Sequence, residues 1–381
     1  MDRTDLSRSR PPIFIQAMWR TGSTYVWNKF REQRQYRAYY EPLHECLVKS
    51  KEEVWAASGP EKQIALRHPE ISDFYFSEFP FTAKGGVEGF HKSLSYERYC
   101  LHPNDTDEEL RCYIAGLIDH AAHNGQTAVL QFNRGLLRAG WLARHFSPVQ
   151  ILILRKPMDV WKSFARFAQH PFETYLAIVL GQNRDKFPLA QLPNWQDFPG
   201  IVSDTFEKES VACASFADAN QEFMYPSFFD FYVTATLHCV QFCDCILDLD
   251  GITLDAKIRE AAEARLERFG IRVDLRDCVL PAYSAGTADG EWVAYERFAK
   301  RFLTKKLALD LTITEEMLAA NQALLSEYFR ELLSHFVQGR AQATVAVSSG
   351  PTSSRIRNTR PRCGCFKIGR FRKRPKFLGN R

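Results

Sequence analysis

The amino-acid sequence predicts an α/β fold in which a central parallel sheet is flanked by helices. The chain has 381 residues, 45% of them hydrophobic and 25% charged, which is typical of a globular protein. Short apolar segments at 12–18, 126–132 and 149–154 have the length of buried strands. A segment with helical spacing follows each of them. Strands that alternate with helices favour a parallel sheet with helices on its faces.

The first predicted unit is a strand, a turn and a helix. The strand at 12–18 is entered through two prolines and ends in a turn of mostly small, polar residues at 19–24. An amphipathic segment at about 25–34 indicates the helix. The second unit has the same order, with a strand at 126–132 and a helix at 136–146.

The third unit starts with the most apolar strand pattern of the chain. The segment 149–154 is apolar except for one residue, as expected of a parallel strand that is covered on both faces. Pro157 ends this run, and Asp159 opens a helical pattern. Residues 172–226 are rich in Pro, Phe, Asn and Gln without a clear period. We expect an irregular insertion there that contributes contacts to a substrate.

The sequence of the C-terminal part of the domain predicts three more helices and one strand. We expect a long helix at 227–245 and a short strand at 245–249. Another helix is expected at 254–269, with Gly270 as its C-cap. An amphipathic pattern at 314–338 predicts the last helix.

The segment after Gly339 has the composition of a disordered, basic tail. Ala, Ser, Thr, Pro and Arg dominate it. Residues 351–381 include eleven Lys or Arg and no Asp or Glu, whereas the whole chain carries a net charge of +5. The preceding part of the chain therefore carries about −6. We expect one folded domain at 1–339 and a disordered tail at 340–381.

The charge distribution and the cysteine pattern exclude several classes of function. An acidic body lacks the basic face that a nucleic-acid-binding core needs, although the basic tail could contact an anionic surface. No apolar run approaches the ~20 residues of a membrane-spanning helix, and we expect no secretory signal. The ten cysteines show neither the density of a disulfide scaffold nor a paired zinc spacing. We therefore expect a cytoplasmic protein with reduced cysteines.

A loop between the first strand and its helix has the character of a phosphate site. Its sequence is Arg20-Thr21-Gly22-Ser23-Thr24-Tyr25. At such a position main-chain N–H groups and a helix N-terminus converge on an anion, and Gly22 lets the backbone approach it closely. The Walker A spacing G-x-x-x-x-G-K-[ST] is absent. The alternative is a polar turn whose Ser and Thr only cap the helix.

A second basic loop follows the third predicted strand. Its sequence is Arg155-Lys156-Pro157-Met158-Asp159-Val160-Trp161-Lys162-Ser163. Arg155 stands at the carboxyl end of a parallel strand, where α/β proteins bind ligands. Ser163, near the start of a helix, can bind the same anion. Taken alone, the pattern also fits an exposed arginine and a capping Asp159.

Together the two loops resemble those of the sulfotransferases that use 3′-phosphoadenosine 5′-phosphosulfate (PAPS). In that family an R/K-[ST]-G-[ST]-[ST] loop binds the 5′-phosphosulfate, and a later strand ending in R-x-P-x-D-x-x-x-S binds the 3′-phosphate. Residues 20–24 match the first pattern, in the Arg-led form of carbohydrate-type and bacterial members. The second pattern is matched by Arg155, Pro157, Asp159 and Ser163. The resemblance covers residues 12–165 and is fainter at 227–300.

The resemblance implies a P-loop-like sulfotransferase fold, PAPS as co-substrate and no metal. The cofactor-binding residues that it implies are Arg20, Thr21, Gly22, Ser23, Thr24, Tyr25, Arg155 and Ser163. The reaction would transfer a sulfuryl group to an acceptor hydroxyl and release 3′,5′-ADP. A sugar hydroxyl is the favoured acceptor, because Tyr40-Glu41-Pro42-Leu43 also resembles carbohydrate-type members. We expect contacts to the acceptor from residues 70–100 and 172–230.

Such a reaction needs a group that stabilises the leaving phosphate and a base that takes the acceptor proton. Arg20 and the loop amides suit the first task. For the second, the resemblance favours Glu41, whose structural alternative is a capping or salt-bridged carboxylate. His44 is the second candidate, because imidazole is a common general base near neutral pH. His91 is the third, since cytosolic members use a histidine after a later strand.

Two other functions compete with this interpretation. A P-loop kinase using ATP and Mg²⁺ is disfavoured by the missing Gly-Lys-[Ser/Thr], and because a 3′-phosphate site has no use in binding ATP. A non-catalytic adaptor with a nucleotide-binding fold would act through the basic tail. Lys29, Arg134 and Lys156 lie near predicted helices, where basic side chains are usually solvated, and we assign them no role.

Overall fold

A parallel sheet of five strands forms the centre of the computed structural model. The structure describes residues 10–57, 74–83, 85–165, 171–183, 185–186, 189, 206–281, 283, 289–307 and 313–348. Within them the strands are β1 (Ile13–Gln16), β2 (Tyr36–Tyr40), β3 (Thr127–Phe132), β4 (Val149–Leu154) and β5 (Cys245–Asp248). Their order is β2-β3-β1-β4-β5, and each neighbouring pair is parallel. The predicted α/β class with a parallel central sheet is confirmed.

Helices connect the strands and flank the sheet. In the first half of the chain they are α1 (Ser23–Arg31), α2 (Lys51–Ala57), α3 (Ser93–Tyr96), α4 (Glu108–His123), α5 (Ala139–Phe146), α6 (Pro157–Ala165) and α7 (Pro171–Gln182). The later ones are α8 (Phe206–Ala219), α9 (Gln221–Val240), α10 (Leu249–Leu254), α11 (Ala256–Glu267), α12 (Asp289–Leu307), α13 (Glu315–Asn321) and α14 (Glu327–Ser348). Short 3₁₀ turns lie at Glu45–Val48, Leu136–Arg138 and Gln322–Leu324.

β1 occupies the middle of the sheet. Phe14 pairs with Leu130 on one side and with Gln150 on the other, and all four β1 residues are buried. The connection after β1 leads to β2 at one edge, whereas the connection after β3 passes β1 to reach β4. The carboxyl ends of β1, β3 and β4 therefore surround the point at which connections change direction, where open α/β sheets bind ligands.

The four predicted strands are found, but β2 was not predicted. The other strands were predicted from nearly continuous apolar runs. The sequence of β2, Tyr-Arg-Ala-Tyr-Tyr, has no such run because it contains Arg37. β2 lies at an edge of the sheet, so the half-buried Arg37 can extend to Glu78, whose carbonyl it contacts at 3.0 Å. An edge strand tolerates such a residue because one side of it has no neighbouring strand.

The C-cap predicted at Gly270 is confirmed. Gly270 has a left-handed φ of 72°. Its N–H donates to the carbonyl of Glu267 at 2.8 Å, and the N–H of Ile271 donates to the carbonyl of Leu266 at 3.2 Å. These two bonds are those of a Schellman motif, which satisfies the last carbonyls of a helix.

The prediction of an irregular insertion at 172–226 is wrong for the described part of that region. Helices α7, α8 and the start of α9 occupy it. Ala177, Ile178 and Val179 of α7 are fully buried. A helix that is covered on several sides has no amphipathic period, which explains why no period is visible in the sequence. α9 also begins earlier than expected and contains Pro226.

The predicted last helix is divided, and it extends further than expected. The segment 314–338 contains α13, a 3₁₀ turn and the first part of α14. α14 continues to Ser348, beyond the predicted boundary at 340, because Gly339 does not stop it. The predicted tail from 349 to 381 lies outside the described residues. No helix in the described ranges has the length and apolar character needed to cross a membrane.

Candidate functional site

The loop after β1 has a constrained backbone. Arg20 and Gly22 have left-handed φ angles of 67° and 93°. A Cβ at Gly22 would lie 2.6 Å from Cδ1 of Leu249, so glycine is required by both its angle and its surroundings. Oγ1 of Thr21 donates to the carbonyl of Met18 at 2.7 Å and ties the loop to the end of β1.

The first turn of α1 offers main-chain donors. Gly22 is the N-cap and supplies no side-chain cap. The N–H groups of Tyr25 and Val26 donate to the carbonyl of Gly22 at 3.1 Å and 3.4 Å. In the described part of the chain, no acceptor faces the N–H groups of Ser23 and Thr24. Free donors at a helix N-terminus favour an anion there.

The two loops singled out by the sequence lie against each other. Nε of Arg20 donates to Oγ of Ser163 at 3.0 Å. Nη1 of Arg155 donates to the carbonyl of Arg20 at 3.3 Å. The structure therefore brings Arg20, Arg155 and Ser163 together, although they belong to different strand–helix units.

Arg155 is enclosed by the protein. Its side chain is buried, and Nη2 donates to the carbonyl of Pro281 at 3.1 Å. The ring of Tyr283 lies 5.5 Å from the guanidinium carbon. Among the described residues, no acceptor lies within hydrogen-bond distance of its buried Nε. A charged donor without a partner is costly in a buried site, so an anionic ligand would satisfy a group that the protein leaves open.

Glu41 lies directly after β2, beside the same loop. Its carboxylate accepts a hydrogen bond from Nδ2 of Asn133 at 2.8 Å and forms an ion pair with Nη1 of Arg134. Glu41 is 7% exposed and has a left-handed φ of 40°. Oδ1 of Asn133 also accepts a hydrogen bond from Oγ of Ser23 at 3.1 Å. One amide therefore connects the loop after β1 with the predicted base.

Arg134 is buried, which corrects its interpretation as a solvated residue. It is 1% exposed. Nη2 donates to Oε2 of Glu45 at 2.8 Å and to the hydroxyl of Tyr96 at 2.9 Å. The rings of Trp19, Tyr96 and Tyr175 lie between 5.0 Å and 6.0 Å from its guanidinium carbon. Cation–π contacts and paired carboxylates together fix the orientation of the guanidinium.

The charges in this cluster stabilise one another. Burial opposes the charged form of Arg134, but Tyr96 and the two glutamates hold its pKa well above its usual range. Burial also opposes the ionised form of Glu45, but His44 and Arg134 lower its pKa to about 2. Arg134 and Glu45 are therefore both charged at neutral pH.

The other predicted residues have local partners. Oγ1 of Thr24 lies 3.2 Å from the hydroxyl of Tyr40. The hydroxyl of Tyr25 donates to Asp277 at 2.6 Å, and Lys29 binds the second oxygen of that carboxylate at 2.6 Å. Tyr25 and Lys29 thus attach the segment around Asp277 to α1.

The two histidines differ in position. Nδ1 of His44 accepts the N–H of Cys46 at 3.2 Å and lies 3.4 Å from Glu45, so His44 caps a 3₁₀ turn at the edge of the cluster. His91 is exposed. In the ranges that the structure describes, no hydrogen bond links His91 to the loop after β1.

Asn133 is a residue of the candidate site that the sequence analysis did not name at all. It follows β3, and β3 lies between β1 and β2, so its side chain can contact residues that follow both neighbours. The available signal was the pair of polar residues, Gln131 and Asn133, at the end of an otherwise apolar run. Their amides are hydrogen-bonded to each other at 2.8 Å.

Neither a metal-ligand group among the described residues nor a similar known protein helps to assign a function to the site. Among the described residues, no group of three or more His, Cys, Asp or Glu is placed to hold a metal ion. Comparison of the chain with protein-family models, curated proteins and solved structures found no match. The geometry of the site is therefore the basis for a functional proposal.

Proposed function

We propose that the protein transfers a sulfuryl group from PAPS to an acceptor hydroxyl and releases 3′,5′-ADP. The observation that carries this proposal is the contact between the two loops. Arg20 meets Ser163 at 3.0 Å across 143 sequence positions, and Arg155 meets the Arg20 carbonyl at 3.3 Å across 135 positions. A nucleotide with phosphates on both its 5′ and 3′ oxygens requires two adjacent anion sites of this kind.

The groups at this edge of the sheet fit such a nucleotide. The free N–H groups at the start of α1 suit the 5′-phosphosulfate. Arg155, with its unpaired Nε, suits the 3′-phosphate. The strand order and the position of the first loop after the central strand support a P-loop-like sulfotransferase fold as part of the same proposal.

The reaction would be an in-line displacement at sulfur. The acceptor oxygen forms a new bond to sulfur while the bond between sulfur and the bridging oxygen of the leaving phosphate breaks. Arg20 and the loop N–H groups stabilise the charge on that phosphate. The acceptor proton passes to Glu41 or His44. Each Glu41 oxygen has a further lone pair available beside its bond to Asn133 or Arg134, so it can also accept from a hydroxyl.

We extend the proposal to the acceptor, which we expect to carry a sugar hydroxyl. The support is the resemblance of residues 20–24 and 40–43 to carbohydrate-type members. Tyr96 and Tyr175, which come from the two regions expected to contact the acceptor, have rings stacked 6.1 Å apart beside Arg134.

Calorimetric binding of 3′,5′-ADP, compared with ATP in the presence and absence of Mg²⁺, tests the proposal. We expect metal-independent binding of 3′,5′-ADP. Ser163→Ala should weaken it by about 5- to 10-fold, because one hydrogen bond contributes ~1 kcal/mol, and Arg155→Ala by about 10- to 100-fold because a charged bond is lost. Ser227→Ala is the matched control, since among the described residues this buried helical serine donates to the carbonyl of Phe223 in its own helix.

The alternatives give different results in the same titrations. Preference for ATP with Mg²⁺ would support the kinase. Absence of binding by either nucleotide would support the adaptor, whose partner binding should then depend on the tail. Equal effects of Ser163→Ala and Ser227→Ala would contradict the assignment of Ser163.

A further inference from the structure

We propose that Arg134 is a positioning residue that holds the Glu41 carboxylate, ionised and oriented, beside the loop after β1 so that it can take the acceptor proton. This inference rests on the proposed function. It names a residue outside both loop motifs. Its support is the placement of Arg134 at the carboxyl end of β3, together with the contacts that surround it.

The sheet order gives residues 133 and 134 access to both sides of the site. β3 pairs with β1 and with β2, so residues that follow β3 can contact the loop after β1 and the turn after β2. Asn133 does both, since it accepts from Ser23 at 3.1 Å and donates to Glu41 at 2.8 Å. Arg134 then holds the second oxygen of Glu41.

The guanidinium cannot easily change its orientation. Nη1 is used by Glu41, and Nη2 is used by Glu45 and by the hydroxyl of Tyr96. The ring of Trp19 lies 5.8 Å from its central carbon. A planar guanidinium that is held on several sides fixes the position of a carboxylate more closely than a flexible ammonium group would.

The charges around Glu41 come from several elements. Arg134 follows β3, and His44 and Glu45 lie in the 3₁₀ turn region. Arg20, in the loop after β1, acts together with Glu41 on the hydroxyl of Tyr40. The hydroxyl of Tyr40, at the end of β2, lies near the loop through Thr24. Without Arg134, the carboxylates of Glu41 and Glu45 would lose the cation that they share, and burial of an unpaired carboxylate favours its protonated form. A protonated carboxyl cannot take the acceptor proton.

Infrared difference spectroscopy tests the first half of this inference without knowledge of the acceptor. A protonated-carboxyl band in Arg134→Met is assigned to Glu41 by its loss in the double variant Arg134→Met/Glu41→Gln. We expect no such band in the wild-type protein at neutral pH, a band in Arg134→Met, and none in Arg134→Lys, which retains the charge. An ionised Glu41 in Arg134→Met would overturn the inference.

Turnover tests whether Arg134 positions Glu41 to take the acceptor proton. The readout is release of 3′,5′-ADP from PAPS, and the acceptor is an N-acetylglucosamine oligosaccharide or water. We expect Arg134→Met to lower kcat by about 100-fold or more, to leave the KM for PAPS within about 3-fold, and to move the acid limb of the pH profile upward. Arg134→Lys should restore the position of that limb but only part of kcat. An unchanged acid limb in Arg134→Met would overturn the positioning role.

Arg138→Met is the matched control. Arg138 is as buried as Arg134, but it donates to the carbonyls of Arg98 and Leu94 and packs on the ring of Tyr99. Its loss should lower stability without producing the Glu41 band or changing the pH profile. A Glu41 band in both variants would assign Arg134 a structural role only. Failure of the wild-type protein to bind 3′,5′-ADP would refute the proposed function, while the infrared result would still report on the Arg134–Glu41 pair.

Discussion

Left-handed backbone angles mark the candidate site at the scale of single residues. Among the described residues, the non-glycine positions with positive φ are Arg20, Glu41 and Ser147, and two of these are predicted site residues. Such a conformation costs on the order of 1–3 kcal/mol and persists only where the surroundings impose it. Its occurrence in both Arg20 and Glu41 fits a site in which geometry takes precedence over local stability.

Gly22→Ala should lower the free energy of unfolding by about 2 kcal/mol in urea denaturation. The new side chain would have to adopt a φ of 93° and displace Leu249, whose Cδ1 lies 2.6 Å from the Cβ position. Gly125→Ala is the matched control, because Gly125 has a φ of 69° but no atom within 4 Å of its Cβ position. Its cost should be about 1 kcal/mol. Equal costs would show that Leu249 moves away freely.

Residue patterns predicted part of the site and missed part of it. Arg20, Arg155 and Ser163 could be predicted because each stands in a local strand–loop–helix pattern. Asn133 and Arg134 could not, since their roles depend on the lateral order of the strands, which the sequence alone does not determine. The burial of Arg134 follows from the neighbouring positions of Trp19 and Tyr175, which come from distant parts of the chain.

At the scale of elements, helices α9 and α12 are joined by buried acids paired with tyrosines. The hydroxyl of Tyr295 donates to Asp230 at 2.7 Å, and Tyr225 bonds Glu296. Burial raises the pKa of Asp230 to about 8. In the folded protein this carboxyl is therefore mostly protonated at neutral pH, and the helix contact is between two uncharged groups.

The free energy of unfolding should fall as the pH rises from about 4 to about 8, because of the titration of Asp230. The folded state retains this proton up to about pH 8, whereas an unfolded aspartate releases it near pH 4. Asp230→Asn removes the titration, so its stability relative to the wild type should improve by at least ~2 kcal/mol between pH 5 and pH 9. Thermal denaturation at several pH values measures this. Asp119→Asn, on the exposed side of α4, is the control for loss of a carboxylate.

Other elements show why some helices and strands could be predicted from the sequence and others could not. β4 is visible because its apolar run is covered on both faces, and the end of α11 is visible because Gly270 has a local role. α7 is hidden because its buried residues Ala177, Ile178 and Val179 leave no polar side to define a period. Local signals thus identify elements whose ends or faces differ chemically, and they fail where tertiary packing covers an element broadly.

At the scale of the whole molecule, the described core ends well before the chain does. Among the described side chains, the last buried one belongs to Phe336 in α14. The basic segment 351–381 follows the end of that helix at Ser348. The nucleotide site proposed above depends on contacts from residues 18 to 283, all within the described core.

Truncation after Ser348 should leave both the melting temperature and the affinity for 3′,5′-ADP unchanged. The reason is that the contacts of the proposed site, and all buried side chains that the structure describes, precede the cut. Differential scanning calorimetry and the binding titration measure the two quantities on the truncated and full-length chains. Loss of nucleotide affinity on truncation would show that the basic segment takes part in the site and would favour a tail-dependent function.

The central position of β1 has a consequence for how the chain is made. Ile13 pairs with Val129 and with Val149, so β1 leaves the ribosome before both of its neighbours and can pair with them only after they too have emerged. At ordinary rates of synthesis this delay is on the order of 10 s, and such distant parallel pairings form slowly. During that interval the apolar β1 is exposed on the nascent chain. The loop at 20–25 therefore takes its final shape late, once the segment that contains Ser163 has also been synthesised.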